Sequence, residues 1–443
     1  MRKRLIAFLV AAIMMSSLLY GCMLRSDGDA SQQVLRIALP DKDSYQSSLG
    51  DYLSAAYPDM KVELIEMEPG FNPISIEQYE QKLKEEKPDL VLLGYSGKYA
   101  KLASDGMLSD LSLRMQASGL HEDDLYPGMI EKIKRDGGGT LFAIAPTFQA
   151  EVLYYNADLF RQYKVGLPQN GMTIKDVMKL ASQFARAGSY KAGIAGYHLP
   201  LSSMPKDLLL DMSSREGIKA VDFRSGKVTV NTPSWRALIT MVIELYRNGT
   251  YRMQNVQGVV KDGETWYGPE EVSEADLFAK GKAAMTIASY NSIQNAKFET
   301  GFVTPPVSSL DTSRSMNLGV YNYMAIPAGA ANGDAAWTVI QFMLSDYMAK
   351  VSAGLEEAYA MPVQKSYMKY DHNPVLPKLY DLLPGVDQVY DSTGYDPKFM
   401  TLFYELQDRE IKAAVKGEIT ADACIAAIQQ EGQALLDAAK VKK

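Results

Sequence analysis

The chain has 443 residues, of which 47% are hydrophobic and 22% charged, with a formal net charge of −7. One hydrophobic core seldom organises more than about 250–300 residues, so two lobes are expected. An acidic balance without any Lys/Arg-rich run excludes a nucleic-acid partner, since the phosphate backbone demands a basic footprint, and the 2 cysteines exclude a disulfide framework.

Arg2, Lys3 and Arg4 precede an apolar run, Leu5 to Met15, that is too short to span a bilayer. That is the pattern of a secretory signal peptide. The run closes on Leu19-Tyr20-Gly21-Cys22, which resembles a bacterial lipobox. The resemblance implies removal of residues 1–21, a lipid on Cys22, a tether over 22–33 and residence on the outer face of the plasma membrane. Loss of the three basic residues takes the charge from −7 to −10. Cys424 then has no partner within the chain, and the helical spacing around it predicts a buried thiol.

Alternation in Val34 to Leu39 predicts a strand, Ser47 to Tyr57 a helix, and Val62 to Ile65 a second strand. A helix over 76–86 leads through Pro88-Asp89 into Leu90-Val91-Leu92-Leu93, a continuous apolar run suited to a parallel strand buried on both faces. Gly137-Gly138-Gly139 marks a turn, followed by strands at Leu141 to Pro146 and Val152 to Asn156. Helical spacing recurs over 173–187, 234–247, 334–344 and 397–415. Trp235 and Trp337 fall on apolar helix faces, the former in a helix opened by Thr232-Pro233, with threonine as cap and proline in the first turn. A further helix is expected to end at Gly281, with a strand over 283–287. No repeat of twenty to fifty residues is present, and the fold class is α/β.

Four segments resemble the extracellular solute-binding proteins of ABC importers, the large family that includes the maltodextrin-binding proteins. They are Pro88 to Leu111; Phe142-Ala143-Ile144-Ala145-Pro146 with Leu153-Tyr154-Tyr155-Asn156, Asp158-Leu159-Phe160 and Pro168; Phe278 to Ile287; and Ala336-Trp337 with Ile340-Gln341-Phe342 and Pro362-Val363. The resemblance implies a two-lobed periplasmic-binding-protein-like (type II) fold with an interlobe cleft and a hinge. Residues 34–146 plus 302–353 would form lobe 1, and 147–301 plus 354–443 lobe 2. It also implies a monomer that captures a small-molecule solute, in particular an oligosaccharide, and hands it to membrane permease subunits.

Catalytic and cofactor motifs are missing from the sequence. The three histidines, His121, His198 and His372, have no zinc spacing. Gly94-Tyr95-Ser96-Gly97 lacks the second glycine of a nucleophile elbow, and no phosphate or dinucleotide loop occurs. No cofactor, metal or catalytic residue is expected, although two carboxylates converging across a cleft would make a glycan hydrolase.

Sugars are held by aromatic faces and planar polar side chains. Gln149 stands seven residues before Asn156, where maltodextrin-binding relatives carry a ligand-contacting acid; Glu151 follows on the same segment, and Thr147 and Phe148 are expected beside them near the mouth of the cleft. The family's stacking aromatic after the 283–287 strand would be Tyr290, within Ser289-Tyr290-Asn291. Asp41, Lys42, Tyr95 and Ser96 lie at strand C-terminal ends, where α/β sheets bind ligands. Trp266, Tyr321, Asn322 and Tyr404 complete the candidates. His198 reads as a loop residue. A sensor kinase in place of the importer, or an opine, peptide or polyol phosphate in place of sugar, are the alternatives; the charged solutes would require a cation in the cleft, and Lys42 is the one candidate.

Overall fold

The computed structural model describes residues 34–42, 45–69, 72–94, 96–201, 204–252, 258–261, 264–354, 360–386 and 392–441. Cys22, the signal and tether segments and Tyr95 lie outside the described residues.

In the first lobe a five-stranded sheet runs in the order Lys61–Glu66, Val34–Leu39, Leu90–Leu93, Tyr323–Ala325, Ala143–Ile144. The first three strands are parallel, and Tyr323–Ala325 is antiparallel to both of its neighbours. The helix Ile76–Glu86 matches its sequence expectation residue for residue. Its start is fixed by a capping box: Ser75 Oγ accepts from the Gln78 amide, and the Gln78 side chain accepts from the Ser75 amide. Trp337, 6% exposed, is buried in the helix Gly333–Met343 and donates its indole N–H to Ser118 Oγ at 2.7 Å.

The second lobe is helix-rich around a separate apolar core of Phe160, Phe184, Trp235, Ile239, Phe403 and Cys424. Burial pushes the Cys424 thiol up to about 12. Thr232 does stand at the N-cap of the helix Pro233–Arg247, but its side chain makes no capping bond. The helix expected to end at Gly281 stops at Ala275, and residues 277–281 form turns, with Gly281 at φ 67°.

A ten-residue strand, Thr147–Asn156, joins the lobes. Its first half pairs with Leu318–Val320 on one side and Ala360–Pro362 on the other. Its second half pairs with Thr300–Val303 and Met285–Ser289. Two other segments cross beside it, Arg314–Ser315 and Leu383–Pro384, parallel to each other.

These pairings move two of the expected lobe boundaries. The return does not occur near Phe302. Thr304 exchanges bonds with Asn170 and Gly171 at 2.9 Å, and the Val307 amide donates to Met172; after Tyr290 and Phe302, which already meet the first core, its next buried member is Leu318. Nor does the third crossing fall near Gly354. Met361, Val363, Tyr367, Leu376 and Tyr380 belong to the first core, where the Tyr126 ring stacks on Phe148 at 4.0 Å and meets Tyr380 edge-on. The crossing follows Pro384, and Phe399 is already in the second core.

Candidate functional site

Side chains alternate between the two faces of a strand, and on Thr147–Asn156 the two faces meet different surroundings. Phe148, Ala150, Val152 and Tyr154 point into the first core. On the other face Gln149 is exposed, Glu151 half-buried and Leu153 buried in the second core. This second face therefore runs from open to covered as the strand enters the second lobe, and its open part is the floor between the lobes. Phe148, expected near the mouth of the cleft, is on the buried side.

Register completes the floor, because residues directly opposite on antiparallel strands share a face. Gln149 is opposite Gly319 and Ala360, and Glu151 is opposite Ser289. Asn317, whose carbonyl accepts from the Glu151 amide at 3.0 Å, precedes Gly319 by two residues and Tyr321 follows it by two. The Tyr321 ring, with 43% of the residue exposed, folds back over the Gly319 Cα. Thus a partly exposed aromatic ring lies over Gly319, and an exposed side-chain amide stands on the strand directly across from it.

Glu151 Oε2 accepts from Arg215 Nη1 at 3.0 Å and from the Asn317 amide. Arg215 in turn bonds Asp211 through Nε and Nη2 at 2.8 and 2.7 Å. Burial opposes the guanidinium charge, but Asp211 and Glu151 outweigh it and hold Arg215 above the ordinary arginine range. Glu151 and Asp211 thereby share one guanidinium, and the trio keeps one net negative charge.

Where the floor meets the first lobe, it joins the C-terminal edge of the parallel strands. Asn322, exposed at φ 56°, links Val320 to Tyr323, which pairs with Leu93. Asp41 is buried at the end of Val34–Leu39, and exposed Lys42 donates its amide to Glu66 Oε1 at 3.3 Å. Beside them Lys98 is paired with buried Glu68, 4.7 Å above the Tyr79 ring. Ser96 opens the helix Ser96–Ser104 at the same edge.

Tyr290 does not present a stacking face. It is 2% exposed, its hydroxyl donates to Asp371 Oδ2, which also accepts from Tyr367 at 3.1 Å, and its ring meets Phe302 edge-on at 5.6 Å. The reason is register: the strand expected to end at Ile287 continues to Ser289, so Ser289 takes the floor side and Tyr290, whose amide donates to the Ala150 carbonyl at 2.8 Å, takes the core side. Burial, then Asp371, push its phenol far above the usual range. Asn291 turns away at φ 61°.

Trp266 is 58% exposed on a separate hairpin, Val259–Lys261 with Glu264–Trp266, and Tyr404 is half-buried on the helix Lys398–Lys416, with its phenol raised by burial. Neither pairs with the floor strands. Two surface grooves of about 610 and 550 Å³ also lie elsewhere, one beside Leu402, Arg409 and Glu431, the other beside Leu83, Gly106 and Pro327. Sequence reading missed Arg215, Asp211, Asn317 and Gly319. The alternation of Asn317, Gly319 and Tyr321 with Leu318 and Val320 carried a signal for two of these.

The profile of the bacterial extracellular solute-binding protein family matches residues 40–350. The chain belongs to that family. Solved structures with the same fold include an extracellular solute-binding protein family 1 member from Alicyclobacillus acidocaldarius, 13% identical with a TM-score of 0.62 over 91% of this chain and 98% of that one. The sugar-binding protein MalE from Xanthomonas citri is 15% identical, with a TM-score of 0.57 over 92% and 98% of the two chains. A maltose-bound MalE3 from T. maritima is 20% identical, with a TM-score of 0.53 over 91% and 100%. No curated protein matches the sequence. As a family member the chain is a solute-binding protein.

Proposed function

We propose that this solute-binding protein captures an uncharged oligosaccharide on the floor between its lobes and delivers it to an ABC permease, held at the outer face of the membrane by a lipid on Cys22. The observation that carries the substrate class is the partly exposed Tyr321 ring over Gly319, directly across from the exposed Gln149 and next to a Glu151 carboxylate bonded by Arg215. A flat aromatic face takes the C–H side of a sugar ring, and an amide both donates to and accepts from hydroxyls. Anionic solutes gain nothing from Arg215, which is committed to Asp211 and Glu151. A maltose-bound protein among the structures of this fold, and one in complex with cycloalternan, support the same class.

Hydrolysis is a poorer reading. It requires one carboxylate as acid and another as base or nucleophile across the bond, whereas Glu151 and Asp211 are both bound to the same arginine.

The test is titration calorimetry of the full-length protein in detergent against maltotriose, cellotriose, xylotriose and mannotriose, with glutamate and a tripeptide as charged controls. One trisaccharide should bind, and Tyr321→Ala should weaken it by about 1–3 kcal/mol, the range expected when a stacking anchor is lost. Binding of a charged control alone would overturn the carbohydrate reading.

A further inference from the structure

Gly319 has no conformational need to be glycine. It lies inside a paired strand, and it is absent from the glycines with positive φ. What forbids a side chain there is one ring: a Cβ on Gly319 would stand 2.9 Å from Cζ and 2.8 Å from the hydroxyl oxygen of Tyr321, with Cε2 nearer still. The obstruction comes from the far end of a partly exposed side chain, which can swing outward, and not from backbone. Cross-strand, Gly319 is opposite Gln149, and on the far side of Gln149 stands Ala360. Gln149 is therefore flanked by two of the smallest residues, and the Tyr321 ring occupies the space that one of them leaves.

We infer that Gly319 is a specificity-determining residue: its missing side chain is the seat that lays the Tyr321 ring flat on the floor beside Gln149, at the height where one sugar ring can stack on tyrosine while its hydroxyls bond the amide. With any larger residue the ring stands off the floor and the two contacts can no longer be made by the same sugar ring. Gly319 acts through Tyr321 and touches no ligand itself. The inference rests on the proposed carbohydrate reading of this floor.

The experiment measures affinity for the tightest-binding of the four trisaccharides in the full-length protein in detergent, for wild type, Gly319→Ala, Tyr321→Ala and the double variant, with thermal unfolding of each. The expected result is a loss of at least tenfold for each single variant, no further loss in the double variant, and an unfolding midpoint for Gly319→Ala close to wild type. If Gly319→Ala is instead destabilised, restoration of its midpoint by Tyr321→Ala shows that the ring is what the methyl meets. Affinity of Gly319→Ala within twofold of wild type would overturn the inference and leave the carbohydrate reading standing, as would a full tenfold further loss in the Tyr321→Ala background. Failure of wild type to bind any of the four trisaccharides would overturn the reading and the inference together.

Discussion

Tyr290 shows how the length of a strand decides what a side chain meets. Two residues of added strand turn a candidate stacking aromatic into a buried donor to Asp371. Tyr290→Phe should cost about 1–2 kcal/mol in urea unfolding, since the carboxylate loses one of its two phenol donors while the ring volume stays, and it should leave glycan affinity unchanged. His198 offers a second test at this scale. It is buried beside the strand Met285–Ser289, its amide donating to Met285 and its carbonyl accepting from Thr286 Oγ1. Burial, opposed by Asp276 at 3.6 Å, lowers its pKa from 6.5 to about 4. A folded value below the unfolded one means that the unfolded chain protonates first. Stability is therefore whole above pH 6.5 and is lost as pH falls from 6.5 towards 4, by up to about 3 kcal/mol. Urea midpoints taken through that window should fall more steeply for wild type than for His198→Gln; parallel profiles would remove His198 as the cause.

Among the elements, the strands and helices that carry a continuous apolar or 3.6-residue pattern were legible: Val34–Leu39, Ile76–Glu86 and Leu90–Leu93 agree with the sequence reading at both ends. The crossing strand was read only from Val152, although Thr147 to Glu151 alternates polar with apolar residues as a half-buried strand does. Boundaries failed where a segment changes partner: 360–384 returns to the first core through pairing with Thr147–Asn156, a long-range contact that local pattern does not encode. The network on the helix Pro205–Glu216 was equally invisible, since nothing local links Arg215 to Glu151 on a strand sixty-four residues earlier. Arg215→Ala should destabilise by about 3–5 kcal/mol in chemical denaturation, because Asp211, itself largely buried, is left without its cation.

For the whole molecule, three crossing segments converge at one place. Met316 lies between Arg314–Ser315 and Leu318–Val320, its sulfur beside Gly217 at the end of the helix Pro205–Glu216 and against Gly385 after Leu383–Pro384. On the proposed reading, lobe movement bends the chain here, next to the floor, so that ligand on the floor and lobe closure act on the same strands. Closure then favours the liganded state to the extent that both lobes contact the solute. The α/β class was legible in the hydrophobic pattern, and the family in the resemblance of the four quoted segments. The composition of the floor was legible in part, through Gln149, Glu151, Ser289 and Tyr321, whereas the cation that Glu151 shares with Asp211 and the glycine under the Tyr321 ring were not.

The most direct test is hydrogen–deuterium exchange of the full-length protein with and without a saturating trisaccharide. Protection concentrated in residues 147–151 and 317–322 is the predicted result. Protection confined to the groove beside Leu402 and Glu431, or to the Val259–Trp266 hairpin, with the floor strands unchanged, would contradict it.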